Sequence, residues 1–478
     1  MGKPQHLPAS GMGRARARGM RLVFDRGTIV LLGLEGTVAF PSLAPADFAS
    51  LPGALWDPRI SALRCPARFH QALVADLRHR GVRFADEVAG ISSKPLLESA
   101  TVELRPYQEA ALAAWELAGR RGTAVLPTGS GKTRLAIAAM VRANLPALCL
   151  VPTRVLLDQW ARAIRELVGF EPGRLGDGEH RIDTITVATF ESAWRHMHRL
   201  GNQFGLLVVD EAHHFGTGMR DEALDMCTSP MRLGLTATKP RGQAAARLDE
   251  LVGPTIYELR VDELTGEFLA PFDTVVAHLD LTSDERTEYD ALMAVFRDVM
   301  HRFRRFNPGA TWDEFAKAAA RTDEGRRAVA AWHRARKITA FPQAKRTMVG
   351  ALLARHRAAR TIVFTADNPT AYAISREHLI MPLTCDIKRK ERERVLGLFK
   401  EGKLRALVSA QVLNEGLDVP EAEVGIIVAG NKGEREHVQR VGRVLRPRPG
   451  KRALVYELVV RSTTEVEQAR KRRSALAA

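Results

Sequence analysis

Short apolar runs alternate with segments of helical periodicity over most of the chain. In the first half, the runs lie at 123–126, 147–151, 184–188, 206–209 and 232–236. The alternation returns in the second half, with runs at 361–364, 405–408, 424–428 and 453–459. Most runs are followed by a polar or glycine-containing loop and then by an amphipathic segment. Alternation of this kind predicts an α/β protein with two tandem parallel-sheet domains covered by helices.

Two other parts of the chain have different patterns. Residues 21–100 combine a strand pair around Asp25-Arg26-Gly27 with an amphipathic helix at 68–80, which predicts a small α+β domain. Residues 283–338 have helical periodicity without a strand signal, and Asn307-Pro308-Gly309 separates two helical stretches. The predicted division is a disordered basic arm at 1–20, the small N-terminal domain at 21–100, the first parallel-sheet domain at 101–262, a helical insert at 283–338, the second parallel-sheet domain at 263–282 and 339–465, and a basic tail at 466–478.

The composition indicates a polyanionic partner. Lysine and arginine total 71 against 55 acidic residues, for a net charge of +16. A solvated basic surface would account for some surplus, but this one favours nucleic acid as a partner. The four cysteines lack the C-x-x-C spacing of zinc or redox sites, and scattered thiols fit a reducing cytoplasm. No apolar run is as long as a membrane span, so we expect a cytoplasmic protein that does not bind membranes.

The segment LPTGSGKT, from Leu126 to Thr133, is typical of a phosphate-binding loop. It follows an apolar strand and opens a helix, so its backbone N–H groups can turn toward phosphate oxygens at the helix N-terminus. Lys132 is expected to reach the β and γ phosphates of ATP, and Thr133 to hold Mg²⁺. Leu126 stands where the general pattern has its first glycine. The predicted nucleotide-binding residues of this loop are Pro127, Thr128, Gly129, Ser130, Gly131, Lys132 and Thr133.

A pair of carboxylates follows the apolar strand of LLVVDEAHHF. Asp210 is suited to bind Mg²⁺ through water, and Glu211 to polarise the attacking water. The alternative is that both are merely strand-end carboxylates in solvent, which the upstream phosphate loop disfavours. His213 is predicted to couple this site to neighbouring loops, whereas His214 is expected to pack.

Further residues are predicted to complete the nucleotide site. In LRPYQ, Gln108 can read an adenine edge with one donor and one acceptor, and Arg105 is predicted beside it. QRVGRVLR supplies cations suited to the charge on a transferring phosphoryl group. Because it lies far along the chain from the phosphate loop, one ATP served by both must bind between two domains. The predicted residues from the second half are Gly416, Asp418, Gln439, Arg443 and Arg446.

Taken with these segments, the chain resembles the superfamily 2 helicases of the DEAH type. LVPTRVLLDQW (150–160) and VATFES (187–192) are similar to strand-contacting motifs, and LTAT (235–238) to the motif that joins ATP state to domain movement. IVFT (362–365) and NEGLDVPEA (414–422) are similar to motifs of the second domain. Within the superfamily the chain most resembles the XPB-type DNA repair helicases, through LRPYQEAAL and the stretches at 251–273, 333–353 and 392–422.

This resemblance implies two RecA-like motor domains, a thumb-like helical insert and an N-terminal domain that engages damaged or distorted DNA. It implies coupling roles for His213, Thr236 and Thr238. The family commonly carries an Arg-Glu-Asp element linked to strand opening, where this chain has Lys239-Pro240-Arg241-Gly242-Gln243. Both acids are missing, so the resemblance supports ATP hydrolysis and translocation better than wedge-like unwinding.

Contacts with DNA phosphates need hydrogen-bond donors at loop tips. Thr153, Arg154 and Thr189 lie at such positions after strands, where contact with the backbone alone would give salt-sensitive binding. In the insert, MHRFRRFN places Arg302, Arg304 and Arg305 beside Phe303 and Phe306, a mixture that suits single-stranded or forked DNA. An amphipathic helix with phenylalanine in its core and arginine in water is the alternative.

The sequence therefore predicts a DNA-stimulated ATPase that moves on or unwinds single-stranded or forked DNA in DNA repair. Its 3′–5′ polarity is implied by the resemblance alone. We expect a monomer that works with a partner nuclease. One alternative is the motor subunit of a phage-defence or restriction system. Another is an ATP-gated nucleic-acid remodeller that does not unwind.

Overall fold

The computed structural model describes residues 20–33, 50–88, 90, 100–218, 220–259, 272–410, 422–429 and 453–477. These residues form three β-sheets and a group of helices that lies, in chain order, between the first two strands of the third sheet. No helix in this part of the chain combines the length and the apolar character needed to cross a membrane.

The first sheet belongs to the N-terminal domain and has the strand order β3-β4-β2-β1-β5. Strands β1 and β2 pair in antiparallel register through a tight turn at Arg26 and Gly27, whose φ angles are 47° and 84°. Two positive φ angles in a two-residue loop are typical of a hairpin, so the predicted strand pair is confirmed. The elements are β1 (Met20–Asp25), β2 (Thr28–Gly33), β3 (Leu55–Asp57), β4 (Ala62–Pro66), α1 (His70–His79) and β5 (Phe84–Asp86).

The second sheet has the order β13-β6-β12-β11-β7-β10-β8-β9 and is parallel except at β9. Along β7, Leu148 and Leu150 join one core whereas Cys149 and Val151 join another. Burial on both faces explains why these strands are continuous apolar runs. The elements are α2 (Pro106–Leu117), β6 (Arg121–Val125), α3 (Lys132–Ala143), β7 (Ala147–Val151), α4 (Arg154–Val168), β8 (Gly173–Gly176), β9 (Glu179–Arg181), β10 (Ile185–Thr189), α5 (Phe190–Leu200), β11 (Leu206–Asp210), α6 (Glu222–Asp225), β12 (Met231–Thr236), α7 (Gln243–Leu251) and β13 (Thr255–Glu258).

Three helices form the insert, which is one more than the two predicted stretches. A second break at 320–322 divides the later stretch. Each helix is capped by a threonine hydroxyl, from Thr282, Thr311 and Thr322 in turn, and such caps stabilise a helix start by satisfying a free backbone N–H. The helices are α8 (Ser283–Phe306), α9 (Trp312–Ala319) and α10 (Asp323–Ala340).

The third sheet is parallel throughout its described strands, in the order β14-β19-β18-β15-β17-β16. The segment expected to be a basic tail, 466–478, lies in a helix up to residue 477. Ala469 of this helix is 1% exposed, so the helix packs against the rest of the described chain. The elements are β14 (Phe272–Leu279), α11 (Gln343–Arg355), β15 (Thr361–Thr365), α12 (Asn368–His378), β16 (Met381–Leu383), α13 (Arg389–Lys400), β17 (Ala406–Ala410), β18 (Val424–Ile427), β19 (Ala453–Val460) and α14 (Thr464–Ala477).

Candidate functional site

Three adjacent strands of the second sheet deliver the predicted ATPase segments to one edge. Strands β6, β12 and β11 are neighbours, and all three run parallel. The phosphate loop follows β6, the Thr-Ala-Thr segment ends β12, and the two acids end β11. Since ligands of parallel sheets bind at the carboxyl ends of the strands, this edge is the candidate site.

The phosphate loop needs glycine at two positions. Gly129 and Gly131 have φ angles of 88° and 80°, a region that favours glycine. A Cβ atom on Gly131 would lie 2.5 Å from Gln108 Nε2, so a side chain is also excluded by contact. Lys132 Nζ donates a hydrogen bond to Leu126 O at 3.2 Å, which holds the ammonium group over the loop.

Side chains of the LRPYQ segment hydrogen-bond to the backbone of the phosphate loop. Tyr107 Oη and Gln108 Nε2 both donate to Ser130 O at 2.7 Å. Gln108 Oε1 accepts from Arg105 N at 2.9 Å, and the side chain of Gln108 is buried. Gln108 thus fixes the loop in this structure, and its contact with adenine stays a prediction.

The two acids have different surroundings. Asp210 Oδ2 accepts from Trp160 Nε1 and Oδ1 accepts from Glu211 N, both at 2.9 Å. Burial, and next the charge of Glu211, raise the pKa of the Asp210 carboxyl, while Lys132 and the Trp160 bond oppose the rise. Glu211 Oε2 is buried without a hydrogen-bond partner, 3.4 Å from His213 Nδ1. Asp210 is therefore held by two hydrogen bonds, whereas Glu211 Oε2 accepts none and has only the contact with His213.

The donor set fits a magnesium nucleotide. The hydroxyls of Thr128, Ser130 and Thr238 are buried and lack hydrogen-bond partners, as expected of groups that await a ligand. In the described part of the chain, no three His, Cys, Asp or Glu side chains could hold a metal by themselves. Mg²⁺ usually takes one or two protein carboxylates plus phosphate oxygens, which is the set that Asp210 and a bound nucleotide would supply.

The structure brings the three predicted coupling residues into one hydrogen-bonded chain. Thr236 Oγ1 donates to Thr238 O at 2.9 Å, so it accepts from His213 Nδ1, which lies 3.1 Å away. This chain links the segment after β11 to the segment after β12. His214 stacks on His213 and meets Phe190 edge-on, in keeping with the packing role expected of it.

The predicted DNA contacts of the first parallel-sheet domain have structural partners. Thr153 and Thr189 cap helices α4 and α5 by accepting from the N–H groups of Leu156 and Ser192, at 3.3 and 3.2 Å. Arg154 pairs with Asp177 at 2.6 Å, although its side chain is largely exposed. β7 and β10 are neighbours, so these residues share one edge. Their contact with DNA stays a prediction.

In the basic segment of the insert, some residues fit a DNA-binding face and others fit an amphipathic helix with phenylalanine in its core. Arg302 is ion-paired with Asp298 at 2.9 Å and with Glu324 on helix α10. Phe303 packs edge-on against Phe315 in the core of the insert. Arg304 and Arg305 are exposed instead, and so is Phe306, at 80%. The exposed basic and aromatic face is therefore limited to the last turn of α8.

Some predicted residues lie outside the described part of the chain, namely Gly416, Asp418, Gln439, Arg443 and Arg446. Other residues were missed by sequence reasoning. Trp160 lies within LVPTRVLLDQW, but nothing local indicates that its indole reaches Asp210. Lys345 is wholly buried and bonds to Glu465 at 2.9 Å. A single lysine in a helix does not indicate from sequence that its charge is buried against a distant glutamate.

Family models match three parts of the chain. Residues 22–88 match the Xeroderma pigmentosum group B helicase damage recognition domain. Residues 101–241 match the type III restriction enzyme res subunit, and 344–448 match the helicase conserved C-terminal domain. Among solved structures, the Hef helicase domain of Pyrococcus furiosus aligns with a TM-score of 0.51 and 20% identity, over 77% of this chain and 98% of that one. That likeness concerns the fold.

Two relatives are similar over most of this chain. The DNA 3′-5′ helicase XPB of Mycobacterium tuberculosis is 29% identical over 78% of this chain, which spans 64% of that protein. The DNA 3′-5′ translocase XPB2 of Sulfurisphaera tokodaii is 34% identical over 91% of this chain and 98% of its own length. With near-complete coverage of both sequences and a matched damage recognition domain, the chain belongs to the XPB-type helicases of superfamily 2.

Proposed function

We propose that this protein is an ATP-driven motor that translocates on DNA with 3′–5′ polarity in DNA repair. The observation that carries the proposal is the convergence of three segments at one sheet edge. There the phosphate loop lies beside Asp210 and Glu211, and His213 bonds to Thr236. The hydrogen bond between His213 and Thr236 links the ATPase site to the loop that follows β12. Coupling of hydrolysis to domain movement needs a link of this kind.

The described residues have distinct roles in this proposal. Backbone N–H groups of the phosphate loop and Lys132 would bind the phosphates of ATP, and Thr133 and Asp210 would hold Mg²⁺. Mg²⁺ would neutralise charge that develops on the transferring phosphoryl group. Glu211, whose buried Oε2 accepts no hydrogen bond, would orient and polarise the attacking water.

Arg443, Arg446 and Gln439 are proposed to act on the same nucleotide from the second parallel-sheet domain. Gly416 and Asp418 are proposed to contact the nucleotide from that domain as well. Arginine side chains that approach a transferring phosphoryl group typically accelerate hydrolysis by about 10³–10⁵. Closure of the two domains on ATP would then be coupled to a step along one DNA strand.

Substitution of Glu211 by glutamine tests the ATPase assignment. Glu211→Gln should abolish turnover but leave ATP binding intact, because the amide keeps the shape and loses the base. A Glu211→Gln protein with full DNA-stimulated ATPase activity would contradict the role of Glu211. The substrate is tested by comparing ATPase rates with single-stranded, duplex, forked and bubbled DNA and with RNA. Stimulation by RNA equal to that by DNA would contradict the choice of DNA.

Translocation and unwinding are separable in a strand-displacement assay. The segment from Lys239 to Gln243 lacks the two acids that the family commonly carries there. We therefore expect DNA-stimulated ATPase activity with weak displacement of a 3′-tailed duplex. Efficient displacement would mean that other residues open the strands. A partner nuclease is part of the proposal on the strength of the resemblance to XPB-type helicases alone, and co-purification tests it.

A further inference from the structure

The N-terminal domain rests directly on the first parallel-sheet domain. Gly27, at the tip of the β1–β2 hairpin, is so close to Met226 that a Cβ atom would lie 2.2 Å from Met226 Cγ. Asn202 Nδ2 donates to Val88 O at 2.9 Å, and Gly90 N donates to Asn202 O at 3.1 Å. The two domains therefore meet around the end of helix α6.

A cluster of ions lies at this contact, and Arg68 is its contribution from the N-terminal domain. Arg68 Nε lies 2.6 Å from Asp225 Oδ1, and Arg68 Nη2 lies 3.8 Å from Glu250 Oε2. The Arg68 side chain is 16% exposed, and its guanidinium covers the ring of Phe69 with 4.0 Å between guanidinium carbon and ring centre. Arg68 thus contacts two acids of the motor domain, Asp225 on α6 and Glu250 on α7.

Arg247 extends the cluster within the motor. Its guanidinium donates to Asp225 Oδ2 at 2.6 Å and to Glu250 Oε2 at 2.7 Å. Arg247 Nε also lies 3.7 Å from Asp221 Oδ2. Asp225 and Glu250 are thereby shared between Arg68 and Arg247, so a change at one arginine alters the charge balance felt by the other.

Asp221 connects the cluster to the loop that follows the catalytic acids. Its carboxylate is buried and accepts from Gly216 N at 2.9 Å and from Gly218 N at 3.1 Å. Gly216 comes directly after the DEAHHF segment that carries Glu211. A Cβ atom at Gly216 would lie 2.2 Å from Ala244 O in the first turn of α7, so the loop is pressed onto that helix.

Helix α7 follows the Thr-Ala-Thr segment in the chain. It starts at Gln243, shortly after Thr236 and Thr238, and Thr236 bonds both to Thr238 and to His213. The segments after β11 and β12 thus both end at the cluster that Arg68 completes. A movement of the N-terminal domain against the motor would act on the loops that flank Glu211 through the ion pairs of Arg68 with Asp225 and of Arg247 with Asp221.

We propose that Arg68 is a positioning residue through which the N-terminal domain sets the DNA-stimulated rate of ATP hydrolysis. Asp225, Arg247 and Asp221 carry its effect to the loop after Glu211. The inference rests on the proposed function, because it concerns stimulation by DNA. The guanidinium of Arg68 is paired with Asp225 and Glu250 and mostly covered, so its loss should change the response to bound DNA without changing DNA affinity.

The test compares steady-state ATPase kinetics of full-length Arg68→Ala, Arg68→Lys and wild-type protein, without DNA and with saturating forked DNA. Arg68→Ala should lower the DNA-stimulated kcat about fivefold or more, the lower range of typical coupling between sites. Basal kcat, the KM for ATP and the Kd for DNA should change less than about twofold, in line with an effect confined to coupling. Arg68→Lys should recover part of the stimulation, since it keeps the charge.

Arg80→Ala is the matched control. Arg80 lies in the same domain and pairs with Asp76 at 2.8 Å, but this pair stays within the domain. It should leave DNA stimulation unchanged. Asp221→Asn should lower basal and stimulated rates together, because it loosens the loop beside Glu211 directly.

Equal losses of basal and stimulated kcat in Arg68→Ala would overturn the proposal, and so would a lower melting temperature with unchanged stimulation. The same is true if Arg80→Ala and Arg68→Ala lose equal stimulation. Wild-type protein that hydrolyses ATP without any stimulation by DNA would instead refute the proposed function. The two failures are therefore distinguishable.

Discussion

Trp160 donates its indole N–H to Asp210 Oδ2 at 2.9 Å, across the interior of the first parallel-sheet domain. Trp160 lies on helix α4, whose N-terminal cap is Thr153, one of the predicted DNA contacts. The same helix therefore presents its start to the edge where DNA is expected and holds the carboxylate that is expected to bind Mg²⁺. The bond fixes one Asp210 oxygen, and the Glu211 backbone N–H fixes the other.

Loss of the Trp160 hydrogen bond should weaken magnesium use. Trp160→Phe keeps the aromatic packing but leaves Asp210 Oδ2 without its donor. Because groups that orient metal ligands typically contribute about 10–100-fold to metal affinity or activity, we expect a kcat loss or a higher Mg²⁺ requirement in that range. Titration of ATPase rate with Mg²⁺ measures both.

Trp115→Phe is the control for this experiment. Trp115 is equally buried in the same domain, and its Nε1 donates to Arg232 O at 2.9 Å. It should lower stability without a change in the Mg²⁺ requirement. Equal Mg²⁺ dependence of Trp160→Phe and wild type would show that Trp160 serves packing alone.

Breaking the buried pair of Lys345 and Glu465 should destabilise the protein strongly. Lys345 is wholly buried and also donates to Thr339 O and Val428 O, so it joins the base of the insert, the residue after strand β18 and helix α14. Lys345→Met leaves Glu465 buried and unpaired, at a cost of about 3–5 kcal/mol in the free energy of unfolding. Urea unfolding measures it.

The double variant Lys345→Met with Glu465→Met should regain much of this loss, since apolar replacement of a buried pair is often nearly neutral. The exposed pair of Arg461 and Asp280 is the control. Arg461→Ala should cost no more than about 1 kcal/mol, as is usual for a surface pair. Similar costs for Lys345→Met and Arg461→Ala would contradict the structural role of Lys345.

Arginines at the end of helix α8 should differ in their effect on DNA binding. Arg304→Ala and Arg305→Ala should each weaken binding and reduce the slope of log K against log salt by about one, because each removes an exposed cation that is predicted to contact phosphate. Arg302→Ala should change binding little, since Arg302 already pairs with Asp298 and Glu324. Fluorescence anisotropy over a salt series would test this, and equal slopes for all three variants would contradict it.

Only Cys385 should react quickly with a thiol reagent in the native protein. Burial raises the pKa of the Cys65 thiol to about 12 and that of Cys149 well above its ordinary value, so neither forms the reactive thiolate near neutral pH. Cys227 is buried and Cys385 is exposed. One thiol should titrate fast before denaturation and four afterwards. A Cys385→Ser protein that still reacts fast would contradict the assignment.

Local patterns predicted much of the fold because parallel strands are buried on both faces. Such strands form unbroken apolar runs, and the runs at 147–151 and 206–209 match β7 and β11 to within a residue. The tight turn at Arg26-Gly27 was likewise predictable from its residues. The extra break in the insert was not predictable, because Ala320 to Thr322 contains no strong helix breaker. Only the structure shows that the Thr322 hydroxyl caps a new helix there.

The sequence alone determined the chemistry available to this protein: a phosphate loop, two strand-end acids and a basic surface, each encoded by a few adjacent residues. Tertiary structure decided which of these groups are engaged. It placed Trp160 on Asp210, withdrew Arg302 into ion pairs and set Arg68 against Asp225. The physical reason is that local spacing sets which face of a strand or helix a side chain occupies. The partner of a buried polar group depends instead on how distant elements pack.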